Sequence, residues 1–320
     1  MALNLRSKCC NINRFYQLLI FRSSSSSRSI SKMRFIQFTR KNDHRKRLGV
    51  VSEDGTSFVE LSGGSCVAHD MISFINQNIS MYEIADKIPN LRSEPVNDSL
   101  RLLPPVTHPG KIVCVGLNYK DHCEEQGKPV PKNPIFFSKL RSSLIGATDD
   151  IIAHRTTKKL DWEVELAVII GKRAKNVSCA KAMDHVFGYT IAQDISARDW
   201  QKELNGGQFL IGKSMDSFCP LGPALVHKSI IPNPYDLCIK TRVNGVIMQN
   251  GNTKDMVFKI DDVINRITRH ITLEPGDVIL TGTPKGVGMH RKPPVYLKPG
   301  DVVKSEIQCM GKLINEVVAP

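Results

Sequence analysis

The most regular alternation of apolar and polar positions in the chain lies at residues 161–171, DWEVELAVIIG. Trp162 and every second residue after it to Ile170 are apolar, and positions 161, 163 and 165 are acidic. Side chains alternate between the faces of a strand, so the pattern predicts a strand with three carboxylates on one face. Either a half-buried strand with a solvated acidic face or a hard cation such as Mg²⁺ or Mn²⁺ accounts for such a face.

Short apolar runs separated by turn residues continue along most of the chain. The predicted strands cover residues 33–38, 48–51, 56–61, 111–116, 135–138, 187–194, 237–243, 246–249, 278–281, 302–307 and 312–318. The predicted helices cover residues 69–84, 118–127, 180–186, 199–204 and 259–269. Asn118 is expected to cap the helix at 118–127. Many short strands with few long helices favour an α+β fold, mainly β, with a rolled sheet or sandwich over a doubly wound sheet.

A boundary between two domains is predicted where prolines interrupt the pattern, at Pro104-Pro105 and again at Pro109-Gly110. Helices and central strands tolerate such a segment poorly. Residues 34–104 are therefore expected to form a small, mainly β N-terminal domain. Residues 105–320 hold every pattern with chemical content and are expected to form the catalytic domain.

Composition and charge exclude several classes of protein. The chain has 320 residues, of which 41% are hydrophobic and 23% charged, as in a globular protein with a sizeable core. No apolar run approaches the ~20 residues that span a bilayer, so no membrane partner is expected. The formal charge is +13, but the first 33 residues contribute six basic side chains and no acid. The remaining basic residues are spread out, and we expect no nucleic-acid partner.

The N-terminal 33 residues are rich in Arg and Ser, and no acidic residue occurs before Asp43. This composition is typical of a mitochondrial transit peptide, with cleavage near residues 25–33. Polar residues interrupt the apolar stretch that a secretory signal would need, and a disordered tail is the remaining alternative. The nine cysteines contain no C-x-x-C pair, so we expect no zinc site and predict free thiols in a reducing compartment.

Three further positions carry candidate chemistry. His122 and Glu125 lie three residues apart on a predicted helix, where a carboxylate can orient an imidazole for proton transfer, although an incidental pair on an exposed helix has the same spacing. Asp194 ends a predicted strand, where either a site residue or a turn-forming Asp is common. Lys213 is expected at the end of an apolar strand, and an ordinary surface lysine is the alternative.

Residues 207–214, GQFLIGKS, match the phosphate-binding pattern G-x-x-x-x-G-K-[ST]. That pattern requires a strand before it and a helix after it. A predicted helix precedes this one, and Pro220 and Pro223 follow it. The Phe-Leu-Ile interior predicts a buried strand, so we reject a nucleotide site here.

Six motifs, taken in order, resemble the fumarylacetoacetate hydrolase family. They are NYKDH at 118–122, the glutamate at 125, EVE at 163–165, DISARDWQ at 194–201, GKS at 212–214 and LTGTPKGVG at 280–288. The resemblance is strong over residues 105–320 and loose over 34–104. WEVELAV, SARDWQ and CPLGPALV at 219–226 are most similar to the mitochondrial branch of the family called domain-containing protein 2.

The resemblance implies a mixed β-sandwich roll, a homodimer and a bound Mg²⁺ or Mn²⁺. It also implies a role for nine residues. The implied metal ligands are Glu163, Glu165 and Asp194, the implied catalytic residues are His122, Glu125 and Lys213, and the implied substrate contacts are Arg198, Gln201 and Thr283.

The activity implied by the resemblance acts on small 2-oxo or 1,3-dioxo carboxylic acids. The first expectation is an oxaloacetate tautomerase of the mitochondrial matrix, which interconverts enol- and keto-oxaloacetate. Hydrolysis of a C–C bond in acylpyruvates or related 3-oxo acids, or decarboxylation of oxaloacetate, would use the same residue types. A binding or scaffold protein with a residual metal site is the non-enzymatic alternative, and the intact His122, Glu125 and Lys213 argue against it.

Overall fold

The computed structural model describes residues 18, 19, 21, 33–62 and 68–320. The strands of this part of the chain are β1 Arg34–Arg40, β2 Asp43–Val51, β3 Ser57–Glu60, β4 Ser93–Pro95, β5 Leu100–Leu103, β6 Ile112–Gly116, β7 Ile135–Ser138, β8 Leu144–Ile145, β9 Ile151–Ile152, β10 Leu160–Asp161, β11 Val164–Ile170, β12 Val186–Gln193, β13 Ser196–Ala197, β14 Cys219–His227, β15 Cys238–Val243, β16 Val246–Asn252, β17 Val278–Leu280, β18 Val302–Ile307 and β19 Lys312–Val318. The α-helices are α1 Met71–Asn76, α2 Met81–Lys87, α3 Lys120–Glu125, α4 Cys179–Ala182, α5 Leu210–Ser214 and α6 Ile260–His270.

Two sheets carry the fold. The larger has twelve strands, whose main path runs β4-β3-β2-β1-β14-β12-β11-β17-β6-β7, with β5 paired to β1 and β8 paired to β14. The smaller has five strands in the order β16-β15-β18-β19-β9, and β10 pairs separately with β13. Most neighbours are antiparallel, while β17–β6, β14–β8 and β19–β9 are parallel. The predicted α+β fold, dominated by strands, is confirmed.

Strand β11 lies inside the larger sheet and is buried along its whole length. Its even-numbered residues, such as Leu166 and Val168, join a core that also contains Ile239 of β15 and Ile264 of α6. Its odd-numbered residue Ile169 joins a second core, which also contains side chains of α1 and α2. Removing the Leu166 side chain would therefore cost about 2–5 kcal/mol of stability, as for other fully buried leucines. The half-buried strand with a solvated acidic face is excluded, because both faces of β11 are covered.

Helix α6 and the β15–β16 hairpin show how far local pattern decides local structure. In α6 the buried residues include Ile260, Val263, Ile264 and Ile267, a spacing of three and four residues that gives one apolar stripe. The hairpin turns through Asn244 and Gly245, whose φ angles of 50° and 84° are those of a type I′ turn. Both elements lie within one to three residues of the predicted bounds.

The segment before the predicted boundary is tied to the larger sheet. Strand β1 pairs with β14 through Arg34–Val226 and Phe35–Leu225, and β5 pairs with the other end of β1. The boundary near residues 104–110 stays a prediction.

Of the predicted transit peptide, Leu18, Leu19, Phe21 and Met33 belong to the described residues, and the rest of 1–33 lies outside them. Leu18, Leu19 and Phe21 are buried in the core that includes Phe58 and Leu313. The Arg34 guanidinium also lies 4.5 Å from the centre of the Phe21 ring. Cleavage near residues 25–33, as predicted, would remove Leu18, Leu19 and Phe21 from this core.

Two local predictions are wrong. Residues 207–214 do not form a strand, because α5 covers Leu210–Ser214 and leaves Leu210 and Ile211 exposed. Asn118 does not cap α3, since its amide spans two loops instead, accepting from the N–H of Phe258 and donating to the carbonyl of Thr281. For Asn118, contacts that are distant in the sequence take precedence over the local preference for capping.

The free thiols among the described cysteines, as predicted, include Cys114, Cys123, Cys179, Cys219 and Cys238, and Cys9, Cys10 and Cys66 lie outside the described residues. Burial raises the pKa of the Cys219 thiol to about 12. Among the helices of the described part of the chain, none has both the length and the apolar character needed to cross a bilayer.

Candidate metal centre and active site

The pairing of four strands brings the candidate residues to one edge of the larger sheet. β11 runs antiparallel to both β12 and β17, so the start of β11 lies beside the ends of those two strands. β6 runs parallel to β17 and therefore ends at the same edge. Residues 163–165, Asp194, the loop 281–288 and helix α3 all leave the sheet there.

Glu163, Glu165 and Asp194 form a cluster at this edge. Each offers one carboxylate oxygen, and the three oxygens lie within 4.8 Å of one another. All three side chains are buried. The N–H of Asp194 donates to the carbonyl of Glu163 at 2.8 Å, which fixes the two ligand-bearing segments against each other. Three buried carboxylates at this separation are a donor set suited to a hard divalent cation.

Lys213 lies inside this cluster. Its Nζ donates to Glu163 Oε2 at 2.9 Å and to Asp194 Oδ2 at 2.6 Å. Burial acts to lower the pKa of Lys213, but the charges of Asp194 and Glu163 outweigh burial and raise it, so the amine stays protonated. The Nζ also lies 5.2 Å from the centre of the Phe137 ring. Because its ammonium is held by two carboxylates, Lys213 is no phosphate-binding lysine.

Lys139 is a second buried lysine of the cluster, which sequence reasoning missed. Its Nζ donates to Asp194 Oδ1 at 2.6 Å, to the carbonyl of Ile195 at 3.2 Å and to the carbonyl of Lys213. Each oxygen of Asp194 therefore faces one lysine. Nothing in the local sequence distinguishes Lys139 from the other lysines, because its partners lie 55 to 74 residues further along the chain.

Arg198 neutralises the other side of the cluster. Its Nη1 lies 2.6 Å from Glu163 Oε1, and its Nε donates to Asp161 Oδ2 at 2.8 Å. Asp161 also accepts from the N–H groups of Gly288 and Met289 and is completely buried. The Arg198 Nη2 is buried without a partner among the described residues, which leaves one donor of the guanidinium available.

Glu165 is the member of the triad that has no basic side chain within ion-pair distance among the described residues. Its Oε2 accepts from the N–H of Gly282 at 2.6 Å. Burial, with the negative charges of Asp194 and Glu163, raises the pKa of Glu165 well above its usual range. Burial also acts to raise the pKa of Glu163, but the charges of Lys213 and Arg198 lower it. The triad therefore has room for one more positive charge beside Glu165, and its residues fit a divalent ion.

His122 and Glu125 form the pair that the sequence predicts on α3. The His122 Nδ1 lies 2.8 Å from Glu125 Oε2, and the His122 Nε2 lies 2.8 Å from the amide nitrogen of Gln126. An amide NH₂ can only donate, so this network places the imidazole proton on Nδ1 and the lone pair on Nε2. Burial acts to raise the pKa of Glu125, but the hydrogen bonds from His122 and the Gly286 N–H outweigh it and lower it. His290 lies close by, with its ring centre 6.0 Å from that of His122.

The glycine-rich loop 282–288 positions three acids with its backbone. The N–H of Gly282 binds Glu165, that of Gly286 binds Glu125 and that of Gly288 binds Asp161. Gly286 has a φ of 103°, and a Cβ there would lie 2.1 Å from the carbonyl oxygen of Met248. Any side chain at this position would collide with that carbonyl, so the close approach of the two backbone segments requires a glycine.

A cavity opens between these groups. It is lined by seven of the nine predicted site residues and by residues that the sequence did not indicate, among them Val115, Phe137, Phe209 and Met289. The seven are His122, Glu163, Glu165, Arg198, Gln201, Lys213 and Thr283. The Thr283 hydroxyl donates to the carbonyl of Val164 and accepts from Gln249, so its donor is used within the fold. Asp194 and Glu125 do not line the cavity and lie behind the residues that do. The roles assigned to the nine residues remain predictions.

A family model described as fumarylacetoacetate (FAA) hydrolase C-terminal matches residues 111–318. The chain belongs to the fumarylacetoacetate hydrolase family. Within it, the chain is 46% identical over 299 residues to a protein of Xenopus laevis named oxaloacetate tautomerase, mitochondrial, covering 93% of each chain. It is 47% identical over 293 residues to a Homo sapiens protein of the same name, covering 89% of this chain and 92% of that protein.

Solved structures of the family have the same fold. A fumarylacetoacetate hydrolase from Exiguobacterium antarcticum superposes with a TM-score of 0.79 at 37% identity, covering 90% of this chain and all of that one. A maleylpyruvate hydrolase from Sphingobium, solved with manganese(II) and pyruvate, gives a TM-score of 0.74 at 30% identity, covering 90% of this chain and 99% of that one.

Proposed function

We propose that the protein is an oxaloacetate tautomerase that uses a bound Mg²⁺ ion. The observation that carries the proposal is the cluster of Glu163, Glu165 and Asp194, which meets Lys213 and His122 at one cavity. Relatives at 46–48% identity over most of the chain are named for this activity, which supports the choice of substrate.

The metal and the lysine would act on the charge that develops during the reaction. Glu163, Glu165 and Asp194 would hold the divalent ion, which would supply a Lewis acid for the oxygens of a 2-oxo acid. Lys213 stays protonated at the same place and adds a fixed positive charge, which stabilises an oxygen that loses its proton. The unpartnered Nη2 of Arg198 is a donor for a substrate carboxylate in the same cavity.

The residue that transfers the proton in this proposal is His122. Ketonisation removes one proton from the enol oxygen and delivers one proton to the adjacent carbon, so atoms and charge balance without a further reactant. The Nε2 of His122 carries the lone pair and accepts the proton once the Gln126 amide releases it. Glu125, which faces the Nδ1–H at 2.8 Å, stabilises the resulting imidazolium.

The test is a direct assay of the full chain with Mg²⁺ and freshly dissolved enol-oxaloacetate. We expect ketonisation well above the buffer rate and its loss on chelation of the metal. A protein that hydrolyses acetylpyruvate efficiently but leaves ketonisation at the buffer rate would refute the tautomerase proposal.

Hydrolysis of a C–C bond is the second candidate. The His122–Glu125 pair is well placed to activate water, and the structurally similar Sphingobium protein is named a maleylpyruvate hydrolase. The two candidates require different contributions from Glu125, and this difference gives the mutational test in the Discussion.

We also propose that two copies of the chain form a homodimer. β7 ends the path of the larger sheet, and it exposes Ile135 and Phe136. Leu140, Leu210 and Ile211 are also exposed, and α5, which carries the last two, packs against β7. An exposed apolar edge strand is normally covered by a partner. Light scattering should give twice the chain mass, and Phe136→Lys should give a monomer; a monomeric wild type would contradict the proposal.

We further propose that residues 1–33 direct the protein to the mitochondrial matrix and are then removed. Their composition supports this, as do the relatives, which are named mitochondrial.

A further inference from the structure

Two lysines line the cavity that contains the carboxylate cluster but take no part in that cluster. Lys128 follows α3, where its N–H donates to the carbonyl of Cys123 at 3.0 Å. Lys202 lies in a π-helical turn, Trp200–Leu204, next to the buried Gln201. Both side chains are exposed and both line the cavity, so they stand at its entrance while Lys213 lies buried inside it.

Neither entrance lysine has a carboxylate partner within ion-pair distance among the described residues. Lys159, on a neighbouring segment, shows the contrast, because its Nζ lies 2.6 Å from Glu203. The Nζ of Lys202 instead lies 5.9 Å from the centre of the Phe209 ring. The pKa of Lys202 is lowered, first because its amine is partly desolvated and then because of the positive charges of Lys128 and Arg198. An anion between the two lysines would relieve that repulsion.

The positively charged side chains deeper in the cavity already form ion pairs with carboxylates of the protein. Lys213 and Arg198 each bind Glu163, and they hold Asp194 and Asp161 respectively. A substrate with one carboxylate needs only the metal and the remaining Arg198 donor. Oxaloacetate carries a second carboxylate, which would meet no uncommitted cation at the floor of the cavity.

We propose that Lys128 and Lys202 form a subsite for the second carboxylate of a dicarboxylic 2-oxo acid. The proposal rests on the proposed function, and it adds the residues that select dicarboxylic over monocarboxylic acids. A lysine supplies a mobile point charge on a flexible stem, which suits an entrance that must admit and release a small dianion.

The experiment compares oxaloacetate with pyruvate, which differ by this one carboxylate. The variants are Lys128→Ala, Lys202→Ala and the double variant, with Lys132→Ala as control, because Lys132 is exposed on the same loop as Lys128 and does not line the cavity. We measure kcat and KM for enol-oxaloacetate and the inhibition constant of pyruvate in the same assay.

In the double variant we expect KM for oxaloacetate to rise about tenfold, the effect of losing one charge-assisted hydrogen bond, with kcat within about twofold of wild type. The inhibition constant of pyruvate should not change, and Lys132→Ala should match wild type. Added salt should raise KM of the wild type more than that of the double variant.

Two results would overturn the subsite: an unchanged KM in the double variant, or an equal rise in KM and in the pyruvate inhibition constant, which indicates general attraction of anions. If the wild type does not accelerate ketonisation, the tautomerase proposal fails on its own. Calorimetric binding of oxaloacetate and pyruvate to the same variants then decides the subsite, and an equal affinity of wild type and double variant for oxaloacetate rejects it.

Discussion

Lys139 Nζ lies 2.6 Å from Asp194 Oδ1, and both side chains are completely buried. A buried ion pair is stabilising only while both partners remain, because removing one leaves an uncompensated charge. Asp194 is therefore held in place from two sides, by Lys139 on one oxygen and Lys213 on the other. The cluster is organised by charge before any ligand arrives.

The first prediction concerns this pair. Lys139→Met removes the charge and leaves Asp194 Oδ1 and the carbonyl of Ile195 without their donor, so we expect a loss of about 3–5 kcal/mol of unfolding free energy. Mg²⁺ affinity should fall as well, because Asp194 is no longer oriented. Thermal melts and calorimetric titration measure the two effects.

Lys111→Met is the matched control, since Lys111 Nζ lies 2.8 Å from the buried Asp277, away from the cluster. It should cost less stability, because Lys111 is partly exposed, and it should leave Mg²⁺ affinity unchanged. Equal effects of both variants on Mg²⁺ affinity would show that Lys139 has no special relation to the metal site.

The second prediction separates metal binding from folding. Glu165→Gln keeps the shape of the side chain and an oxygen for the Gly282 N–H, and it leaves no cation unpaired. We expect Mg²⁺ affinity to fall by more than ~100-fold, beyond what losing a supporting contact costs, while the melting temperature of the metal-free protein is unchanged or higher. Chelation of the wild type should abolish activity to the same extent.

Glu163→Ala is the contrasting variant. It removes the partner of both Arg198 Nη1 and Lys213 Nζ and should cost several kcal/mol of stability in addition to metal binding. If Glu165→Gln binds Mg²⁺ like wild type, the triad is not the metal site.

The third prediction distinguishes ketonisation from hydrolysis. Hydrolysis needs an activated water, so it should depend on the Glu125-oriented His122 by the ~10²–10⁴-fold typical of general acid–base groups. Ketonisation should lose less in Glu125→Ala, because Lys213 and the metal already stabilise the charge that develops. Both rates are measured on one panel of Glu125→Ala, His122→Ala and Glu165→Ala, and equal losses in Glu125→Ala would contradict the distinction.

The fourth prediction concerns pH. The folded-state pKa of Glu125 is lowered, so its hydrogen bonds stabilise the protein above the ordinary glutamate value of ~4.3 and are lost as the pH falls through the folded value. The difference in melting temperature between wild type and Glu125→Gln should therefore be present above ~4.3 and shrink as the pH falls below that value. A difference that grows as the pH falls below ~4.3 would mean that the pKa of Glu125 is not lowered in the folded protein.

The fifth prediction concerns the leader. A chain that lacks residues 1–33 should fold and be active but remain in the cytosol, whereas the full chain is imported. Leu18, Leu19 and Phe21 are buried in the structure, so the melting temperature of this truncation is the control. A large drop in melting temperature, or unchanged import, would show that the segment belongs to the mature fold and that the cleavage prediction is wrong.

The sequence alone determined the elements that depend on neighbours in the chain. The alternation at 164–170 gave β11, the Asn-Gly pair gave the β15–β16 turn and the apolar stripe gave α6. The spacing of His122 and Glu125 likewise fixed their contact, because residues three apart on a helix are neighbours. The resemblance of six ordered motifs added the family, which the comparisons confirm.

Only the tertiary structure decided which groups surround those residues. Lys139 reaches Asp194 across 55 residues, and the Gly282 N–H reaches Glu165 across 117. Burial on both faces made the acidic positions a closed cluster, and Asn118 joined two loops where local preference predicted a cap. The physical reason is the size of the two kinds of contribution. Side-chain pairs along a helix and helix caps each contribute about a few tenths to two kcal/mol. Burial and the pairing of buried charges contribute more, so they decide which groups meet.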